Sequence, residues 1–179
     1  MNLGTLLPAH ARYRPNHPAL TVSGSEYNFV QLNAEVNRLA NALLKAGIKK
    51  NDKVATVMTN QLEFVLLYLA VAKTGIVIVP ISPLLNDRGL QRLLVDSDSI
   101  MVIADCCYAE TIEKIRLNFP AIEANRFILV GGSQTPEDFV SYRDFIGDAL
   151  EIEPPDASLI DNDIFNIMYS SGTTGMPKG

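Results

Sequence analysis

Residues Tyr169–Gly179 read Tyr-Ser-Ser-Gly-Thr-Thr-Gly-Met-Pro-Lys-Gly. Glycines let a backbone bend sharply and turn its N–H groups toward one point; the hydroxyls of Ser170, Ser171, Thr173 and Thr174 add donors, and Lys178 adds positive charge. That chemistry suits an anion, phosphate above all. The spacing is not that of the strand-to-helix phosphate loop G-x-x-x-x-G-K-[ST], because the fifth residue after Gly172 is Pro177 and Lys178 is followed by Gly179 rather than by a metal-binding hydroxyl. Pro177 lacks an N–H and pushes Met176 out of the helical region, so the string does not run straight into a helix. Two readings stand: a lid-like loop over phosphates, or a glycine-rich surface turn.

Other reactive side chains are sparse. Cys106 and Cys107 are adjacent, with no further cysteine at metal-ligand spacing, and read as reduced bystanders. His10 and His17 both lie in the N-terminal segment, away from either cysteine, and read as surface residues rather than as bases. Lys49, Lys50 and Lys53 make a small basic cluster beside Asp52, read as a solvated loop. A net charge of −5 and a pI near 5.0 argue against a nucleic-acid partner.

These residues need a scaffold, and a chain of 179 residues with 47% apolar content can build one with a good core. Helix is predicted over Leu3–Tyr13, a hairpin over residues 19–28, and an amphipathic helix over Phe29–Ala46 that stops at Gly47. The strand Lys53–Met58 follows, then a helix buried on most sides around Phe64–Ala72, too short and too closely fenced by Glu63 and Lys73 to span a membrane. Ile76–Pro80 is β-branched and apolar on both faces, as a central parallel strand is. A helix over Asp87–Asp96, a strand over Ile100–Ala104, a helix over Ala109–Asn118 and a strand over Phe127–Val130 complete an α/β alternation, which predicts a largely parallel sheet with helices on both faces. Glu151–Asp156, acidic and with two prolines, reads as a linker, and Ile164–Tyr169 as the strand that launches the glycine-rich string. The expected organisation is an α/β subdomain over 1–150, then linker, strand and loop over 151–179. The N-terminus has neither the basic start nor the long apolar core of a secretory signal, so the cytoplasm is expected.

SSGTTGMPKG resembles the phosphate-binding signature of the adenylate-forming ligases, the family of acyl- and aryl-CoA synthetases, luciferases and the adenylation domains of peptide synthetases. YNFVQLNAEVNRLANALLKAGIKKNDKVATVM and LAVAKTGIVIVPISPLL resemble two further blocks of that family, so the likeness runs through most of the chain. The resemblance implies the N-terminal part of the adenylate-forming fold, with the last strand and loop belonging to a second sheet. It assigns the β- and γ-phosphates of ATP to Ser170, Ser171, Gly172, Thr173, Thr174, Gly175 and Lys178, with Thr174 as a candidate ligand for Mg2+. It gives Asn33, Asn37, Lys73 and Pro80 packing or capping roles. Val-Pro-Ile-Ser-Pro stands where peptide-synthetase domains place an aspartate, and Gly-Thr-Thr-Gly replaces their Gly-Ser-Thr-Gly; both lean toward an acyl-CoA synthetase.

The implied activity is two-step: ATP activates a fatty or other organic acid as acyl-AMP, and the thiol of CoA displaces AMP. Family members are longer, and their adenine site, acyl pocket and catalytic lysine lie downstream of this string. The chain is therefore expected to be an N-terminal piece, inactive alone, with no catalytic side chain of its own. An unpaired strand at residues 164–169 would let two copies associate. The alternatives are a piece of a peptide-synthetase adenylation domain, and a non-catalytic nucleotide- or protein-binding α/β module.

Overall fold

The β-branched run after Gly75 forms β4 (Val77–Pro80), paired in parallel with β3 (Lys53–Val57) through Val54 opposite Ile78 and Ala55 opposite Val79. The structure, a computed structural model, describes residues 2–116, 118, 122–170 and 179. Contacts divide the chain into two compact units. The first comprises Met1–Asn51, Asn60–Ile76 and Ile146–Phe165; the second comprises Asp52–Thr59, Val77–Phe145 and Asn166–Gly179.

The second unit holds a five-stranded parallel sheet in the order β4-β3-β5-β6-β7, with β5 at Met101–Asp105, β6 at Phe127–Val130 and β7 at Val140–Ser141. The chain steps from β3 to β4 on one side, then crosses back to place β5 on the other. This is the doubly wound order whose switch point lies between β3 and β5. Helices α4 (Asp87–Asp96) and α5 (Ala109–Arg116) flank the sheet. Leu90, Leu93 and Leu94 of α4 and Ile112 and Ile115 of α5 recur at helical spacing and join Ala55, Val79, Val102, Ala104 and Leu129 in one core. Asn86 caps α4 by accepting the Gly89 N–H at 2.8 Å. All five residues of β5 are buried, as a central parallel strand requires.

The first unit is helical, with one hairpin. β1 (Pro18–Val22) and β2 (Ser25–Asn28) pair antiparallel across Ser23 and Gly24, whose φ values of 51° and 80° make the kind of turn that matches strand twist. Before it lies α1 (Leu6–Tyr13), preceded by a 3-10 turn at Leu3–Thr5. After it comes α2 (Phe29–Lys45), opened by a capping box: the Asn28 side chain accepts the Gln31 N–H at 2.9 Å while the Gln31 side chain accepts the Asn28 N–H at 3.0 Å. Leu32, Val36, Leu39, Ala40 and Leu43 are its buried stripe, packed toward α3 (Leu62–Thr74). Each helix ends near a glycine in the left-handed region, Gly47 at φ 80° and Gly75 at φ 71°. Among the described residues no helix is long and apolar enough to cross a membrane.

Two stretches add to the sequence reading. β7 and α6 (Tyr142–Ile146) had no sequence signal, being two and five residues long. Ile164–Tyr169, read as a strand of a second sheet, has no strand ladder among the described residues. Its one described pairing to a named strand is a parallel bridge from Asn166 to Ile78 on β4, with the Ile167 N–H donating to the Ile78 carbonyl at 3.0 Å. Its side chains alternate: Ile167 and Tyr169 pack inward on the core, while Ile164 and Met168 are exposed.

Candidate functional site

Of the residues assigned to phosphate, Ser170 is described and exposed; Ser171, Gly172, Thr173, Thr174, Gly175 and Lys178 lie outside the described residues. What the structure gives is the footing of the string at both ends. Tyr169, directly before Ser170, is half-buried against the core of the second unit, and its hydroxyl donates to Oδ2 of Asp96, the last residue of α4, at 2.7 Å. Burial, then this hydrogen bond, then the charges of Asp96 and Asp98 push the phenol's pKa far up, so at any physiological pH it remains a proton donor to Asp96. Gly179, the last residue of the string, lies against the same ring. A Cβ there would come 2.9 Å from Cε1 and 3.0 Å from Cζ of Tyr169, and 3.0 Å from Cγ2 of Ile167.

A second polar group sits in the first unit. Lys73, near the end of α3, has a side chain only 3% exposed, and its three ammonium donors meet three acceptors: Asn37 Oδ1 at 2.6 Å, Asn33 Oδ1 at 2.7 Å and Glu153 Oε2 at 2.7 Å. The Glu153 carboxylate also accepts from the side-chain amides of Asn33 at 2.6 Å and Asn37 at 3.2 Å. Burial lowers the Lys73 pKa against the pull of Glu153. Burial alone would raise that of Glu153, but the hydrogen bonds from Asn33, Lys73 and Asn37 outweigh it and hold the carboxyl below its ordinary range.

Asparagines continue along the same face of α2. Asn37 donates to the Glu151 carbonyl at 2.9 Å, Asn41 to the Leu150 and Ile152 carbonyls at 2.8 and 2.9 Å, and Arg38 pairs with the Glu151 carboxylate. Residues 33, 37 and 41 are each one helical step of four apart, so one stripe of α2 holds the backbone of 150–152 and the Glu153 side chain in place. The stretch read as a linker is thus bound at successive residues. The packing roles expected of Asn33, Asn37 and Lys73 take the form of this polar clamp.

At the switch point between β3 and β5, where doubly wound sheets hold ligands, Oδ2 of Asp105 accepts from the Thr59 N–H at 2.9 Å and from its hydroxyl at 3.0 Å. The crevice is thereby bridged by the protein's own groups. Cys106 is half-buried and Cys107 exposed, both as free thiols. Burial and the charge of Asp105 raise the Cys107 pKa, leaving a protonated thiol that is a weak nucleophile. His10 stacks on Phe29, ring centroids 4.8 Å apart. Among the described residues no cluster of three His, Cys, Asp or Glu side chains could hold a metal ion.

The sequence matches the family described as AMP-binding enzyme over residues 7–179. The chain belongs to that family. It is 33% identical over 184 residues to the long-chain-fatty-acid–CoA ligase FadD13 of Mycobacterium tuberculosis, an alignment covering 99% of this chain and 34% of the relative. It is 30% identical over 177 residues to a feruloyl-CoA synthase of Amycolatopsis sp, covering 99% and 32%. Among solved structures it resembles the anthranilate CoA ligase AuaEII in complex with anthranoyl-AMP, with a TM-score of 0.90, 28% identity, and coverage of 99% of this chain and 33% of that one. The chain thus spans about a third of the length of these two curated relatives.

Proposed function

We propose that the chain is the N-terminal part of an ATP-dependent acid–thiol ligase that converts a fatty or other organic carboxylic acid to its acyl-AMP and passes the acyl group to CoA. The observation that carries the reading is the string Ser170–Gly179 itself, in an AMP-binding family member, with both described ends seated on Tyr169. A carboxylate has no good leaving group. Its oxygen attacks the α-phosphorus of ATP, pyrophosphate leaves, and the thiol then displaces AMP from the mixed anhydride.

In this reading the hydroxyls of Ser170, Ser171, Thr173 and Thr174, the amides around Gly172 and Gly175 and the ammonium of Lys178 serve the β- and γ-phosphates. They stabilise charge that grows as pyrophosphate departs. Thr174 is the hydroxyl proposed for the Mg2+ that the nucleotide carries. Residues 1–150 act as scaffold and 151–179 deliver the string. The enzyme acts in the cytoplasm and takes no nucleic acid. Residues 1–179 alone make no acyl-adenylate, and two copies of the isolated chain associate through residues 164–169.

The test is ATP–pyrophosphate exchange by the complete polypeptide that carries this chain, offered fatty, aromatic and amino acids in turn. Exchange dependent on a fatty or aromatic acid, followed by CoA-thioester formation, supports the ligase. Exchange with amino acids alone replaces it with a peptide-synthetase reading, and no exchange with any acid leaves a binding module. In the active enzyme Lys178→Ala or Thr174→Val slows adenylation by about 100-fold and leaves thiol transfer from supplied acyl-adenylate within about twofold.

A further inference from the structure

We infer that Tyr169 is a positioning residue, a single ring that fixes both ends of the phosphate string and is itself held by Asp96. The inference rests on the phosphate role proposed above. Two contacts meet at this residue, and a third fixes the chain just before it. The backbone is fixed just upstream, where the Ile167 N–H donates to the Ile78 carbonyl at 3.0 Å. The Tyr169 hydroxyl is fixed by Asp96 at 2.7 Å, a phenol-to-carboxylate bond of the strong, charge-assisted kind. Gly179 then rests on ring atoms Cε1 and Cζ, the edge that carries that hydroxyl, with no room for a side chain.

The consequences follow from covalent geometry. Ser170 is one peptide bond beyond Tyr169, and Lys178 is one peptide bond before Gly179. Wherever Asp96 sets the ring, Ser170 and Gly179, the two described ends of the string, are placed by that same ring. Holding the two ends of a loop together in advance removes the entropy of doing so when ligand binds. Gly179 is explained as well: its place in the string is a steric demand of the ring, beyond any demand for a flexible backbone.

The sequence could not have disclosed this. Asp96 lies 73 residues before Tyr169, in a helix whose visible signal is its leucine stripe.

The test uses the complete polypeptide, with magnesium pyrophosphate binding measured by calorimetry and with both half-reactions timed. Tyr169→Phe keeps the ring and loses the hydroxyl, and is expected to weaken pyrophosphate binding and raise the KM for ATP about tenfold, leaving thiol transfer from supplied acyl-adenylate within about twofold. Asp96→Asn retains a carbonyl acceptor and falls between wild type and Tyr169→Phe. Asp96→Ala matches Tyr169→Phe, and the double variant is no worse than either alone, the signature of one shared contact. Gly179→Ala, which leaves the Tyr169–Asp96 bond intact but displaces the string's far end, also weakens pyrophosphate binding. Additive losses in the Tyr169→Phe/Asp96→Ala double variant would overturn the inference. So would pyrophosphate affinity unchanged in Tyr169→Phe and Gly179→Ala, or equal slowing of both half-reactions with a lowered melting temperature. A wild type that neither binds pyrophosphate nor exchanges it overturns the ligase reading and this inference together; a normal wild type with unaffected variants overturns this inference alone.

Discussion

Nζ of Lys73 lies 2.7 Å from Oε2 of Glu153, joining the end of α3 to a segment 80 residues later in the chain. The two partners are unequally exposed, at 3% for the lysine side chain and 49% for the glutamate.

That inequality sets the order of two substitutions. Glu153→Ala strands a buried ammonium with only two amide oxygens and is expected to cost about 3 kcal/mol. Lys73→Met leaves a carboxylate that water can reach and amides that still pair with it, so about 1–2 kcal/mol is expected. Urea unfolding of both variants checks the ranking; a larger loss for Lys73→Met would mean that the lysine's aliphatic stem, rather than its charge, is what matters.

The same pair has a pH signature. The Glu153 pKa is lower folded than unfolded, so its contribution is fully present above the ordinary glutamate value of 4.5 and is lost as pH falls through the folded value. Melting temperature should therefore drop less steeply below about pH 4.5 in Glu153→Gln than in wild type, the glutamine being insensitive to protonation. Parallel acid limbs in the two proteins would remove Glu153 from the acid response.

Gly75 stands at φ 71°, and a Cβ added there would meet Cδ2 of Leu159 at 2.6 Å and Cγ of Lys50 at 3.0 Å. Gly75→Ala is expected to cost about 1–2 kcal/mol from backbone conformation, and more from the collision with Leu159. Adding Leu159→Ala should recover the steric part and leave the conformational part, which thermal melting of the single and double variants will separate.

Thr56 is 1% exposed on the central strand β3, and its hydroxyl has no hydrogen-bond partner among the described residues. Thr56→Val keeps the shape and removes the unsatisfied group, so a gain of about 1 kcal/mol is expected. A loss of stability would show that the hydroxyl has a partner, such as a buried water.

How much of this was readable in advance depended on how local each signal was. The α2 cap, its leucine stripe and the stops at Gly47 and Gly75 are written within a few residues, and helix Asp87–Asp96 and strand Phe127–Val130 lie where the pattern put them. The string Ser170–Gly179 was legible because its composition is so unusual. Long-range pairings were not. Asn33, Asn37 and Asn41 share a spacing of four that could have flagged a polar stripe, but nothing in it names carbonyls more than a hundred residues away. Glu151–Asp156 looked like a spacer because prolines and acids favour solvent, whereas three of its residues are held by α2. Lys50, read as part of a solvated cluster, pairs with Asp163 at 2.7 Å and donates to the Ser158 carbonyl.

The asparagine stripe bears on how this family member can vary. Helix α2 is read on two sides at once, by leucines that need the core and by asparagines that need the carbonyls of 150–152 and the Glu153 side chain. One residue inserted between Leu32 and Asn41 would turn everything after it by about 100°, sending the later asparagines off their carbonyls in the same stroke that exposes the later leucines. A helix with a single working face can absorb such an accident by rolling; one gripped from two directions has nowhere to roll. Length change should thus be barred in α2 and concentrated in stretches such as residues 131–135, which carry no strand or helix.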